Sequence, residues 1–170
     1  DVIYCDGKKS IERRSSRTLL DIIFNYLVRW FAPSLSFTTE EAWKSRNNES
    51  SIHLEDFLIT PESYKNSEVN DVWITLKQIR KVITGALEKK RANKIIGARL
   101  EAQINIYLEK SILEKVKNYQ LDEISITSSF ELHEITSNSE GFSLEEVSDV
   151  KVEVSKTSGQ KCQRCWKYKK

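Results

Sequence analysis

The apolar residues of this chain change their period once, near Arg99, and no single regular element can serve both patterns. Before that point they recur every three to four residues. Ile11, Leu19, Ile22, Ile23, Tyr26, Leu27, Trp30 and Phe31 predict a long helix over 10–32. Arg13, Arg17, Asp21, Asn25 and Arg29 form its narrow polar stripe. With Leu20, Phe24 and Val28 widening the apolar part, most of this helix should be buried. Pro33 ends it, because proline lacks an amide proton and disfavours helix in the residue before it. A second helix is predicted from about Glu68 to Arg91, with Val69, Val72, Trp73, Leu76, Ile79, Ile83, Ala86 and Leu87 inward and Gly97 as punctuation. Beyond Arg99 the period becomes two. Ile104, Ile106 and Leu108 alternate with polar neighbours, as do Val150, Val152 and Val154.

Shorter signals fill the gaps. Thr38 to Glu41 and Ser111 to Glu114 read as capping boxes for two short helices, the first carrying Trp43 inward. Asn47 to Ser51 reads as a polar loop, Ile52 to Phe57 as extended chain, Ile124 to Ile135 as one or two strands, and Ser137 to Gly141 as a turn. The expected fold is mainly α, a helical bundle followed by a small α/β module and a short basic tail.

Charge is distributed unevenly around a net of +2. Residues 72–99 carry eight basic groups and one acidic, and residues 159–170 carry five basic and none acidic. Between them, residues 100–158 carry five basic and twelve acidic groups. Two basic stretches flanking an acidic module suit a polyanionic partner, since each phosphate contact releases counterions; solubilising lysines are the plainer alternative. No run of 18 apolar residues suggests a membrane span, and no basic segment leads into an apolar one as in a signal peptide. Three cysteines make no disulfide framework, so a reducing, cytoplasmic setting is expected. The chain has no methionine, so it reads as part of a longer protein.

No nucleophile triad, phosphate-cradling glycine loop or nucleotide-binding fingerprint is present, and no catalytic residue is expected. His53 and His133 read as structural histidines. Lys161-Cys162-Gln163-Arg164-Cys165-Trp166 is the sharpest local motif. Two cysteines separated by two residues suit one zinc ion, but a structural site needs four ligands. The readings are a zinc half-site cut before its second pair, a redox pair of thioredoxin type, and incidental cysteines or a site completed by another chain. Trp30, Trp43 and Trp73 read as core residues. Trp166, in a polar basic tail, suits either stacking on an unpaired base or packing over a zinc knuckle.

Trp73, Ile79 to Val82, Ala86 to Glu88, Arg91 and the run Lys94-Ile95-Ile96-Gly97-Ala98-Arg99-Leu100-Glu101-Ala102 resemble the isoleucyl-tRNA synthetase family, whose hallmark here is K-x-[IV]-G-x-x-L-E-A. Arg17 to Asp21, Leu35 to Trp43 and Ser51 to Phe57 resemble earlier segments of the same region, and Gly159 to Trp166 resembles the first half of its C-terminal zinc module. The second Cys-x-x-Cys, the H-I-G-H and K-M-S-K-S motifs and the editing domain are not among these residues. The resemblance implies a helical anticodon-binding domain over 1–98, an α/β module over 99–156 and a truncated zinc-knuckle tail over 157–170. It implies that the intact enzyme attaches isoleucine to tRNA(Ile) with ATP, on a missing catalytic domain, and holds zinc. The expected partners are tRNA(Ile) and the rest of the synthetase chain, with no membrane and a monomeric state. The expected RNA contacts are Arg13, Arg14 and Arg17; Lys89, Lys90, Arg91 and Lys94; and Lys161, Arg164, Trp166 and Lys167. Cys162 and Cys165 would be the metal ligands. The competing reading is a protein-interaction or scaffold domain without RNA specificity.

Overall fold

The structure, a computed structural model, describes residues 2–46 and 49–169. Asn47 and Asn48, the start of the expected polar loop, lie outside the described residues. The chain divides into two compact units, residues 1–65 and 66–170.

The first unit is helical. A short helix α1 (Val2–Cys5) precedes α2 (Ile11–Phe31) and α3 (Ser36–Lys44). Ser10 starts α2 by accepting from the amide of Arg13. The capping box expected at Thr38 does not form. Helix α3 begins earlier, at Ser36, so Thr38 and Thr39 lie inside it, and the Thr39 hydroxyl donates to Leu35 O, 2.9 Å. Ile52–Leu54 is a 3-10 turn, not extended chain, and sends Ile52 into a small core with Val28, Ala32 and Trp43. Trp43, 6% exposed, also donates its indole N–H to Ser50 O.

One cation lies inside this unit. Arg29 is buried, although sequence periodicity assigns it to the polar stripe. Its guanidinium lies 4.8 Å over the Trp43 ring, donates to Asn25 O at 3.0 Å and pairs with Glu55 at 3.0 Å. Burial of most of α2, expected from its wide apolar face, is not observed. Val28 and Arg29 are buried, whereas Leu19, Leu20, Ile23, Leu27 and Phe31 are exposed and Trp30 is 55% exposed. Phe24, Val28 and Ala32 sit at i, i+4 and i+8, and the nine-residue α3 covers that line without reaching the rest.

The second unit is a two-layer α/β structure. Its long helix α4 (Ser67–Ala92) is capped by Asn66, which accepts from the amide of Val69. Strand β1 (Ala102–Leu108) follows, then α5 (Lys110–Val116), α6 (Leu121–Ser125) and β2 (Ser129–Glu134). Strands β3 (Phe142–Leu144) and β4 (Val147–Lys156) complete a sheet of order β2-β1-β4-β3. β1 pairs parallel with β2 and antiparallel with β4, so the link from β1 to β2 must cross over, and α5 and α6 occupy it. Register sets Ile104 opposite Val154, Ile106 opposite Val152 and Leu108 opposite Val150. All six point to one face, against Ile79, Val82, Ile83, Ala86 and Leu87 of α4.

The expected mainly helical bundle is therefore corrected to a mixed α/β structure. The apolar stripe of α4 is buried in the same core as the alternating face of the sheet. Trp73, expected in that core, is 47% exposed, because α4's buried line starts at Leu76. Ser111 caps nothing: α5 starts a residue before it, and Glu109 holds the cap position without a side-chain bond. The strand expected between Ile124 and Ile135 is a single one, because α6 takes Ile124 and ends at Ile126 in the left-handed region, φ 60°.

Gly85 supports the packing of β3. A Cβ there would lie 2.6 Å from Cε1 of Phe142. Gly85→Ala should gain about 1 kcal/mol of helix propensity but lose about 1–3 kcal/mol to overpacking. Net destabilisation in urea is expected, and Phe142→Leu in the Gly85→Ala background should recover it. A stabilised Gly85→Ala would mean that the ring moves aside freely.

Glu40 ties α3 to the 3-10 turn. It pairs with Lys44 and accepts from the Ser51 hydroxyl and the Ile52 amide, both at 2.9 Å. The Lys44 partner first, then Ser51, holds its carboxyl down to about 2. A depressed carboxylate stabilises the fold above its unfolded pKa of about 4.3, and that contribution disappears as pH falls toward 2. The melting temperature reported by Trp43 should fall over that window, and Glu40→Gln should flatten the dependence.

Candidate nucleic-acid interface

Basic side chains gather at three places, each with a different local origin. At the start of α2, Arg14 and Arg17 are exposed and Arg13 is half-buried. Arg14 and Arg17 line an open cavity of about 890 Å³ floored by Leu20, Ile23, Phe24 and Leu27, with Arg46 also at its edge. Arg46 is held there by Asp21 and by the Phe24 ring, 4.9 Å away.

The second group ends α4. Lys89, Arg91 and Lys94 are exposed and Lys90 half-buried. Cations in a last turn are favoured by the partial negative charge of the terminal carbonyls, so position alone accounts for some of this clustering. The partners differ. Glu88 approaches Arg91 at 3.9 Å and Arg99 at 3.0 Å, and the Lys89 ammonium lies 5.9 Å from the Phe142 ring centroid. Neither Lys90 nor Lys94 forms an ion pair among the described residues.

The run after α4 has a physical logic that spacing alone does not display. The helix stops at Ala92, and Lys94, not Gly97, takes the left-handed turn, φ 58°. Ile96 is buried in the core and Ala102 opens β1 with no exposure. Gly97 donates its amide to Glu101 Oε2 at 3.1 Å, and a Cβ there would lie 3.4 Å from the other carboxylate oxygen. Gly97 is thus a close-approach residue, and Glu101 a partner that its motif position conceals.

The third group is a hairpin of β5 (Gln160–Lys161) and β6 (Tyr168–Lys169). Between its strands, Cys162 N donates to Lys167 O and Trp166 N to Cys162 O, both at 2.9 Å. These bonds fold Cys162 to Cys165 into a knuckle. Trp166 is 60% exposed with φ 61°, a left-handed conformation uncommon for so large a residue. The Lys161 ammonium lies 5.1 Å over its indole, and Arg164 is exposed beside it. Lys167 stands apart, paired with Asp122 at 2.8 Å with both side chains 16% exposed. Sequence reading missed Asp122, which lies 45 residues earlier with no local signal.

The two cysteines sit in a hairpin turn, without the helix that a thioredoxin-type pair requires. Among the described residues, no three Cys, His, Asp or Glu gather into a metal site, so these residues do not make a complete structural zinc site by themselves. The two histidines are engaged elsewhere: His53 lies 3.3 Å from Ser36 O, and His133 stacks on Tyr107 with centroids 5.3 Å apart.

The Cys162 thiol is drawn down to about 7, chiefly by the backbone amide of Cys165 and then that of Arg164. Thiolate is the reactive form, so iodoacetamide labelling of Cys162 in chelator should rise with pH around a midpoint near 7. Peptide mass spectrometry reads this, and a midpoint near 8.5 would show that the amides do not hold the sulfur.

Known proteins resemble this chain along its whole length. The family described as "Anticodon-binding domain of tRNA ligase" matches residues 1–106, from α1 through most of β1. Isoleucine–tRNA ligase of Pelagibacter ubique is 45% identical over all of this chain, and that of Bartonella henselae 41% identical over 99% of it. The enzyme of the same name from Bradyrhizobium diazoefficiens is 38% identical over 98% of it. The chain spans 17–18% of the length of these relatives. With a matched segment covering more than half its residues, this chain belongs to the family of tRNA-ligase anticodon-binding domains.

Proposed function

We propose that this chain holds tRNA(Ile) by its anticodon stem and loop, as part of an isoleucine–tRNA ligase. The observation that carries this reading is the group of cations ending α4, on a helix whose inner face is fixed in the core of a family member. Rigid support matters because phosphate contacts set register only when their spacing is fixed. Lys89, Lys90, Arg91 and Lys94 would meet backbone phosphates, and Arg13, Arg14 and Arg17, on the first unit, would make phosphate contacts of their own. Lys161, Arg164 and Trp166 would meet the unpaired loop, where an exposed indole stacks on a base whatever its identity.

The whole enzyme would activate isoleucine with ATP and transfer it to the tRNA, on a domain other than this one. Cys162 and Cys165 would supply two zinc ligands, completed by residues beyond those described. The division at 1–98, 99–156 and 157–170 is then one of roles, whereas compactness divides the chain at residue 65. A cytoplasmic monomer fits the free cysteines, and no described helix is long and apolar enough to cross a membrane.

Binding to a tRNA(Ile) anticodon stem-loop should weaken steeply with salt. Reversing Lys89, Lys90 and Arg91 to Glu together should weaken it and reduce the salt slope by about 0.7–0.9 per lost phosphate contact. Fluorescence titration at several salt concentrations measures both. Unchanged binding removes this patch from the interface, and equal affinity for unrelated RNA of the same length favours a scaffold role.

A further inference from the structure

A hairpin with two residues in each strand is too small to hold a direction by itself. The direction of the knuckle must come from its attachments to the α/β layer. Three hydrogen bonds among the described residues make them, and they converge on one end of the sheet. Thr157 N donates to Glu101 O at 2.8 Å, just before β1. Tyr168 N donates to Ser128 Oγ at 2.7 Å, and the Ser128 hydroxyl in turn donates to Leu100 O. Lys167 Nζ donates to Asp122 Oδ2 at 2.8 Å.

The last of these is the informative one. Lys161 and Arg164 of the same hairpin are exposed, as a phosphate-seeking cation should be. The Lys167 side chain is 16% exposed and spends its charge on a carboxylate that is equally covered. Shielding a lysine from water is costly unless a partner compensates, and removing one partner leaves the other charge shielded and unpaired. Asp122 is held in turn. It belongs to α6, its carbonyl accepts from Thr127 N at 2.9 Å, and the left-handed Ile126 turns the chain so that Ser128 reaches β1. Lys167 also closes the knuckle through its own carbonyl, which accepts from Cys162 N. One residue therefore joins the Cys-x-x-Cys loop to the sheet layer at both its backbone and its ammonium.

We propose that Asp122 and Lys167 are positioning residues: their shielded pair, with Ser128, sets the direction in which the knuckle presents Lys161, Arg164 and Trp166 to RNA. Lys167 is on this account not a phosphate contact. The inference rests on the RNA-binding reading for its purpose, but the anchoring itself is separable from it.

The test uses the 170-residue chain with Asp122→Asn, Lys167→Met and the exchanged pair Asp122→Lys with Lys167→Asp. Heteronuclear NOEs of residues 159–169 report hairpin order without RNA. Each single variant should lower them, and the exchanged pair should restore them. Affinity for the anticodon stem-loop should fall about tenfold in each single variant, the size expected when a few contact side chains lose pre-organisation, and should recover in the exchanged pair. Asp122→Asn is the decisive arm, because removing a negative charge strengthens RNA binding unless position is lost. Unchanged hairpin order in both single variants overturns the proposal. So does weaker binding with a smaller salt slope in Lys167→Met together with undiminished binding in Asp122→Asn, which would make Lys167 a phosphate contact. Absence of RNA binding by the unaltered chain removes the functional reading while the order measurement still decides the anchoring.

Discussion

The second unit depends on the burial of one helix face against one sheet face. Ile79, Val82 and Ile83 of α4 and Ile104, Ile106 and Leu108 of β1 have no exposure, and Val150, Val152 and Val154 of β4 pack with them. At about 1.5–3 kcal/mol for each large aliphatic side chain removed from water, this contact outweighs any ion pair in the unit. Among the described residues the core here holds sixteen buried side chains, against four in the first unit. The first unit is correspondingly the weaker, and its buried cation Arg29 makes it sensitive to loss of Glu55.

The RNA contacts proposed at the end of α4 and in the knuckle are carried on that frame. Lys89, Lys90 and Arg91 project from a helix whose opposite face cannot turn without exposing the core, and Lys94 follows in the turn after it. Ile96, Gly97 and Glu101 then lead the chain from helix to strand in a short space, which explains why that run pairs an apolar residue, a glycine and a carboxylate. The knuckle depends on the sheet less directly, through the Ser128 hydroxyl and the Asp122–Lys167 pair.

Much of the fold was legible in the residues. The α4 span, the inward residues of β1 and β4, the Ser137 to Gly141 turn and the end of α2 at Pro33 all follow from period and backbone chemistry. The misreadings share a cause. Thr38 and Ser111 have the composition of caps, but each helix starts earlier than its motif suggests. Trp30 and Trp73 lie on apolar stripes, yet a stripe states only which residues share a face, not how much of that face a neighbour reaches. Arg29 sits on a polar stripe and is buried for the same reason. Of the candidate interface, the clusters were legible as composition. The distinction between an exposed Arg164 and a shielded Lys167 was not, because it depends on a carboxylate 45 residues away.

The sequence by itself determined the two long helices, the alternating strands β1 and β4, the Cys-x-x-Cys spacing, and which family the chain resembles. These are properties of neighbours along the chain, written in periods of 3.6 and 2 and in local motifs. Tertiary structure alone decided that α4 shares a core with the sheet, that the apolar side of α2 is only partly covered, and that Lys167 anchors the knuckle. Each of those depends on what lies across a gap in space, and hydrophobic burial and charge pairing act across that gap whatever the separation in sequence.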